Sequence, residues 1–383
     1  MIFCTYTSLV SVTHTTVVDA PILEVYSSLY QKYGTKLTCP CTNIAIAQRD
    51  FITLIPTFHQ VCYSDFVKKS WLSYLNAASD KYLSSDFRSQ GGLLFQILAS
   101  FCRLSQDTIK NSLNKFYSTR FISNDVLDED LLKNQSRSHI ETYKSTTARE
   151  FVNSFNNIRD AISGNQLLSG FLTNFDFKPS KYSSEPQAYL VSYVSTVYNM
   201  PGRCNCDDTP SCIFPASIND NNTGHVILVV PGLYTGCLLV EAMRQSNLQC
   251  LYNQTCLNEI KKHIRSSVSF NSTALSSFVP SRYNASTDIN QLLTELMVES
   301  WIENISHASY YNRCQPAHCV YTIVGKNNAI YIITALLSLL GGLCKVLYFL
   351  TLIVVKIIRR RRGKIVSIKF LVGMSEIYSI LTL

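Results

Sequence analysis

The chain has 383 residues, a formal net charge of +8 and a charged fraction of 16%, below the roughly 25% of an average soluble domain. Six of the positive charges lie between Lys356 and Lys364, which leaves +2 for the rest of the chain. These six charges flank an apolar run, so a membrane explains them better than nucleic acid does. The net charge therefore argues against nucleic acid as a partner. The length allows two domains, or one large domain and a membrane segment.

Residues 1–23 begin "MIFCTYTSLVSV", which has no basic region and is too rich in threonine for a signal peptide. The residues before the membrane segment predicted at 329–355 nevertheless have to cross the membrane. We therefore expect this N-terminal segment to be truncated, with an upstream signal or first transmembrane helix missing.

Residues 39–66 contain β-branched stretches at 43–47 and 51–55, the second ended by Pro56, which predict short strands tied by cysteines. Helical spacing then predicts a helical subdomain over about 65–169. Its first helix is capped by Asp65 or Ser64, and its last helix ends at Gly164. The apolar residues at this spacing are Phe66, Trp71, Leu72, Leu75, Leu94, Leu98, Phe101, Ile109, Phe151, Phe155, Ile158 and Ile162.

The stretch 188–198 alternates like a strand and is followed by a loop rich in Pro, Gly and Asp. The next apolar segment is expected to break at Pro231-Gly232 and to continue as a helix that ends near Cys250. Residues 286–305 predict an amphipathic helix capped by Thr287 or Asp288, and a short stapled neck follows it.

The membrane segment is predicted over Ala329–Val355, 27 residues in which Lys345 is the only charge. A helix of this length reaches roughly 40 Å, enough to cross a hydrocarbon core of about 30 Å with some tilt. A buried helix of a soluble core is the alternative, but it does not need four arginines at its end. We expect the inner flank to be cytoplasmic, formed by Lys356, Arg359, Arg360, Arg361, Arg362 and Lys364.

Lys345 lies near the middle of the bilayer in this arrangement, about eleven residues or 16 Å from the inner flank. Two interpretations stay open. Its stem can snorkel towards an interface beside Gly341 and Gly342, or it can face a partner helix or an aqueous path. The two glycines also permit close helix approach, and hence a homo-oligomer through this helix.

Fourteen cysteines indicate an oxidising compartment, because the spacing of the twelve between positions 39 and 319 has no CxxC zinc knuckle. Spacing does not define the pairing. The disulfide candidates are Cys39, Cys41, Cys62, Cys102, Cys204, Cys206, Cys212, Cys237, Cys250, Cys256, Cys314 and Cys319.

Six N-x-S/T sequons precede the apolar run and none follows it, which agrees with the cysteines about the lumenal side. The glycosylation candidates are Asn134, Asn221, Asn253, Asn271, Asn284 and Asn304.

The sequence predicts no catalytic residue, cofactor or metal site. The seven histidines are scattered, and phosphate-loop and nucleophile-elbow motifs are missing. The acidic runs at 128–130 and 207–208 do not continue at calcium-ligand spacing. Cys62 lies three residues from His59, but in so cysteine-rich a chain a disulfide is the better interpretation than a nucleophile.

The stretches "CPCTNIAIAQRDFITLIPTFHQVCYSDF", "LQCLYNQTC" and "RCQPAHCVYTIVGKNNAIYIITALLSLLGGL" resemble a family of cysteine-rich membrane proteins in bdelloid rotifers, over about 24–360. The resemblance implies a short cytoplasmic N-terminus, a first helix, a cysteine-rich ectodomain and a second helix. A fainter likeness is to degenerin/epithelial sodium channel subunits. It is carried by Cys314, Pro316, Cys319 and Tyr321 before the helix, while the G-x-S signature of that family is absent.

Together these observations predict an α+β fold, a mostly helical disulfide-rich ectodomain over 24–328, a transmembrane helix over 329–355 and a cytoplasmic tail over 356–383. The expected function is surface binding or adhesion by a membrane-anchored glycoprotein with an extracellular protein ligand. The alternative is a subunit of a degenerin/epithelial-sodium-channel-like ion channel. We expect one span in the chain as given, and two if an upstream helix is missing.

Overall fold

The computed structural model describes residues 11–77, 82, 86–164, 175–179, 189–193, 211, 213–236, 238–326 and 329–362. The chain folds as two compact units. The terminal unit is Met1–Cys39 with Ala317–Leu383, and the central unit is Pro40–Pro316. Helices and small antiparallel sheets occur together, so the expected mixed α+β class is confirmed.

In chain order the helices are α1 (Leu23–Tyr33), α2 (Lys69–Asn76), α3 (Phe87–Ser118), α4 (Glu129–Gly164), α5 (Leu239–Gln245), α6 (Gln254–His263), α7 (Ile289–Thr294), α8 (His307–Cys314) and α9 (Ala329–Arg362). The strands are β1 (Ser11–Asp19), β2 (Leu37–Thr38), β3 (Ala45–Ala47), β4 (Ile52–Phe58), β5 (Arg120–Ile122), β6 (Phe175–Pro179), β7 (Tyr189–Tyr193), β8 (Ile213–Asn219), β9 (Val226–Gly236), β10 (Val298–Ile305) and β11 (His318–Lys326). They form the antiparallel sheets β1–β11–β2, β4–β10, β3–β5, β6–β7 and β8–β9.

The terminal unit is built on the β1–β11–β2 sheet. Strands β1 and β11 pair over nine residues, from Ser11 opposite Lys326 to Asp19 opposite His318. The ring of Tyr33 stacks on Tyr321, with 4.0 Å between the ring centroids. Because the pairing is antiparallel, the N-terminal end of β1 lies beside the end of β11 from which the chain continues into α9.

The main core of the central unit is assembled from segments far apart in sequence. Trp71 is 1% exposed and meets the rings of Phe66 and Phe95 edge-on, at 5.7 and 5.4 Å between centroids. The helices α2 and α3 share this core with β8, β9 and α5–α7. A second buried cluster surrounds Phe51 and Tyr310.

Helical spacing located α2, α3 and α4 correctly and identified most of their buried faces. Ser64 caps a 3₁₀ turn, Asp65–Val67, so the first α-helix begins at Lys69 and not at Asp65. Ile158 is 61% exposed although it lies on the predicted apolar face, because α4 leaves the core after Phe155. The side chain of Ile162 lies outside the described residues.

Two expected strand breaks are wrong. Strand β4 continues through Pro56, which a two-stranded sheet tolerates because one side of the strand needs no N–H donors. Strand β9 continues through Pro231-Gly232 with an irregular register. Gly232 has φ +78°, and a Cβ there would clash with the Oδ1 of Asn247, so this position of the strand needs a glycine.

The helix expected over 286–305 is also wrong in its second half. Helix α7 ends at Thr294, Leu296 and Met297 both have φ +55°, and the chain continues as β10. Half of the eight residues of β10 are β-branched or aromatic, which suits pairing with β4. Asp288 stands at the cap position without a side-chain cap bond.

Candidate functional site

Helix α9 contains one segment, Ile333–Arg359, with the length and composition to cross a membrane, and none of its apolar window is buried in the described structure. These 27 residues reach roughly 40 Å as a helix. The alternative of a buried core helix needs protein around the helix, and the described residues supply none. Gly341, Gly342 and Lys345 all lie inside the segment.

The basic flank continues the same helix. Lys356 and Arg359 are described with their side chains, and the backbone of α9 extends to Arg362. Lys364 and the apolar tail lie outside the described residues.

Eight of the cysteine candidates form four disulfides: Cys39–Cys319, Cys41–Cys314, Cys62–Cys102 and Cys250–Cys256. The first bond belongs to the terminal unit and the second to the central unit. Cys62 is therefore not a free thiol beside His59. The remaining candidates Cys204, Cys206, Cys212 and Cys237 lie outside the described residues.

Both places where the chain passes between the units have half-cystines next to them. One passage, Cys39–Pro40, is followed by Cys41, and the other, Pro316–Ala317, lies between Cys314 and Cys319. The two disulfides close nested loops of 280 and 273 residues. Once one loop is closed, the other bond closes a ring of only a few additional residues.

All six sequon asparagines have exposed side chains. Two of them use the amide oxygen in the fold: Asn253 caps α6 by accepting from the N–H of Thr255 and of Cys256, and Asn221 accepts from Arg88 at 3.2 Å. These bonds leave the Nδ2 atom, to which a glycan is attached, outside the contact.

A groove of about 620 Å³ runs between α4 and β10 in the central unit. Trp301 lies in it, and the ammonium group of Lys144 is 5.8 Å from the centre of the indole ring. Burial lowers the pKa of Lys144, but hydrogen bonds to Glu141 and Glu303 outweigh it, so the pKa lies above its ordinary value. On the other side of the groove, Arg282 pairs with Glu295 at 2.7 Å.

His59 lies in a buried polar network in the same unit and is 1% exposed. Its Nδ1 accepts a hydrogen bond from the N–H of Val61 at 3.1 Å, so in this geometry the proton of the ring is on Nε2. Nε2 is 3.2 Å from the hydroxyl of Tyr252 and 3.6 Å from the carboxylate of Glu299. Burial lowers the pKa of His59, and the negative charge of Glu299 opposes this in part.

The groups around His59 are fixed by further bonds. Glu299 accepts from the hydroxyl of Ser281 at 2.7 Å and from the N–H of Arg282 at 3.0 Å. Burial raises the pKa of Tyr252, and it raises the pKa of Tyr283, whose ring also meets His59, to about 12.

The sequence carried no signal for this network, because its members come from four distant segments. The backbone N–H of His59 donates to Met297 O at 2.7 Å, which ties the network to the left-handed pair Leu296–Met297. Asp128, considered above as a calcium ligand, instead caps α4 by accepting from the N–H of Asp130 and of Leu131. The run at 207–208 lies outside the described residues, and the described residues contain no group of three or more His, Cys, Asp or Glu placed to hold a metal.

Comparison of the chain with family models, with curated proteins and with solved structures found no match.

Replacing both cysteines of Cys39–Cys319 or of Cys41–Cys314 by serine should lower the free energy of unfolding by about 2–3 kcal/mol. The loss is small because the surviving bond still closes the long loop. Removing both bonds should cost about 8 kcal/mol, since the loop of 273 residues then opens as well. Thermal unfolding of the full chain in detergent measures this. Additive costs in the three variants would contradict the nested arrangement.

His59→Asn should reduce the dependence of stability on pH. The unfolded chain binds a proton near pH 6.5 and folded His59 binds it only at lower pH, so stability is complete above pH 6.5 and falls as the pH falls below it. Each unit of pKa lowering corresponds to about 1.4 kcal/mol. Asn Oδ1 can accept from Val61 as Nδ1 does, but it does not titrate.

The readout is the difference in unfolding temperature between pH 7.5 and pH 5 for the full chain in detergent. The unfolding temperature of the wild type should fall more between the two pH values than that of His59→Asn. Equal losses in the two chains would show that His59 does not control this part of the pH response.

Proposed function

We propose that this chain is a membrane-anchored glycoprotein whose folded part stands outside the cell and binds an extracellular protein, as a surface receptor or adhesion molecule. The observation that carries the proposal is the exposed apolar helix α9, which starts three residues after the disulfide-tied strand β11. Exposing so long an apolar helix to water is unfavourable in free energy, and insertion into a bilayer removes this cost.

The outward orientation is supported by three independent features. Disulfides persist in oxidising compartments, which lie on the non-cytoplasmic side. The arginines after α9 favour a cytoplasmic C-terminus. The exposed sequon asparagines all precede the helix. This puts them on the lumenal side in the proposed orientation, where glycans are transferred to asparagine.

Binding is preferred to catalysis because the polar groups around His59 and the sulfur of Cys62 are committed to structure. His59, Tyr252 and Glu299 are held in a buried network, and the sulfur of Cys62 is in a disulfide. The groove at Trp301 offers an aromatic surface between charged walls, which is the composition of many recognition sites.

A channel subunit is the second candidate, and the face of α9 that carries Lys345 favours it. The N-terminal end of β1 beside the end of β11 also fits a chain that meets the membrane at both ends of the terminal unit. A bare cation facing a pore would repel cations, which weighs against sodium conduction.

Sidedness is tested by expressing the complete natural gene in animal cells. We expect removal of N-linked glycans by glycosidase to shift the mass of the chain, and Asn→Gln at the six sequons to abolish the shift. A sequon inserted after Lys364 serves as the matched control and should remain unmodified. Bare asparagines together with a modified tail would overturn the proposed orientation.

A cell-binding assay and a current recording separate the two candidate functions. Suspended cells that display the chain should aggregate or bind untransfected cells, and Ser145→Arg, which fills the groove from α4, should reduce this several-fold. Thr142→Arg, at an exposed position of α4 outside the groove, should not. A membrane current in oocytes that is lost on changing Gly342, without any cell binding, would instead favour the channel.

A further inference from the structure

Helix α9 has a polar and small face and an apolar face. At 100° per residue, Thr334, Ser338, Gly341, Gly342 and Lys345 fall within about 100° of the helix circumference. The rest of the circumference over this stretch carries alanine, leucine and one cysteine. We call the first set the Lys345 face.

The charge on this face has no partner among the described residues, where Lys345 is exposed. It lies eleven residues from Lys356 and twelve from Ile333, which is about 16 Å and 18 Å along the axis. A lysine stem spans roughly 6 Å, so snorkelling does not bring the ammonium group out of the hydrocarbon at either end. A lone lysine at this depth costs about 3 kcal/mol.

The two glycines on the face are not required by the rest of the described chain. A Cβ at Gly341 or at Gly342 would meet nothing within 4 Å, and neither has a positive φ. Each glycine nevertheless lowers helix stability by about 1 kcal/mol relative to alanine. In membranes, small residues lie where a second helix approaches closely, so the glycines and Lys345 point to the same contact.

The charge decides which helix can occupy the face. A second copy in a parallel two-fold dimer would place Lys345 against Lys345, and like charges at low dielectric repel. A helix with an aspartate or glutamate at the same depth would neutralise the charge and accept its hydrogen bonds. The homo-oligomer expected from the glycines is therefore disfavoured through this face.

We propose that the Lys345 face binds the transmembrane helix of a different protein, one that carries a carboxylate at the middle of the bilayer. The inference rests on the proposed membrane anchoring. It adds that the chain works as part of a hetero-oligomer, in which the partner supplies the acidic residue.

The test uses full-length chain labelled with a fluorophore and reconstituted in phosphatidylcholine vesicles. The probe is a synthetic 21-residue leucine helix with one central glutamate and an acceptor dye, and its control has leucine at the centre. We expect energy transfer to report about tenfold tighter association with the glutamate helix, in line with 1–2 kcal/mol for a polar contact between membrane helices. Lys345→Leu should remove the preference, and Gly342→Leu should reduce it.

A matched control separates the face from the charge. The double variant Lys345→Leu with Leu347→Lys keeps one lysine at nearly the same depth but moves it about 200° around the helix, among leucines. It should bind the glutamate helix no better than Lys345→Leu does. Equal binding by the moved lysine would overturn the proposed face, as would a wild-type chain indifferent to glutamate or one that associates mainly with itself.

Alkaline extraction of the same vesicles distinguishes the two proposals. A chain that alkali removes is not inserted and overturns both the anchoring and the pairing. A chain that resists extraction but does not prefer the carboxylate overturns the pairing alone.

Discussion

The disulfides Cys39–Cys319 and Cys41–Cys314 are the constraint on which the arrangement of this chain depends. The chain leaves the terminal unit at Cys39 and returns to it at Ala317, so one long segment has to begin and end at the same place. Closing a loop of this length costs about 5 kcal/mol of chain entropy, which is a large part of the stability of a folded domain. The two bonds remove that cost from folding, one within each unit, and each supports the loop if the other is lost.

Sequence reasoning succeeded where one local force dominates. The faces of α2 and α3 follow from the spacing of Trp71, Leu94 and Leu98, because burial of a stripe is the main stabilising term of such helices. The apolar run of α9 and its arginines are equally local. The cysteines were recognised as disulfide candidates, but their pairing depends on the fold and could not be read from spacing.

Sequence reasoning failed where contacts between residues distant in sequence override a local preference. Residues 298–305 have helical spacing, yet pairing with β4 makes them a strand. Pro56 and Gly232 normally end strands, but here each occupies a position that needs no N–H or no Cβ. The bonds of the buried pair Asp86 and Arg88 to Asn219 could not be predicted, because they join residues more than 130 positions apart.

The nine-residue strand β11 has a mechanical consequence. It is the covalent connection between the central unit and α9, since the chain runs from Ala317 through β11 to Ala329. Under the proposed function, a pull on a bound partner against α9 in the bilayer would therefore stretch β11 along its own backbone. The load would bypass the hydrogen bonds that join β11 to β1 and β2, so the anchor could withstand tension that would unzip a sheet loaded across its strands.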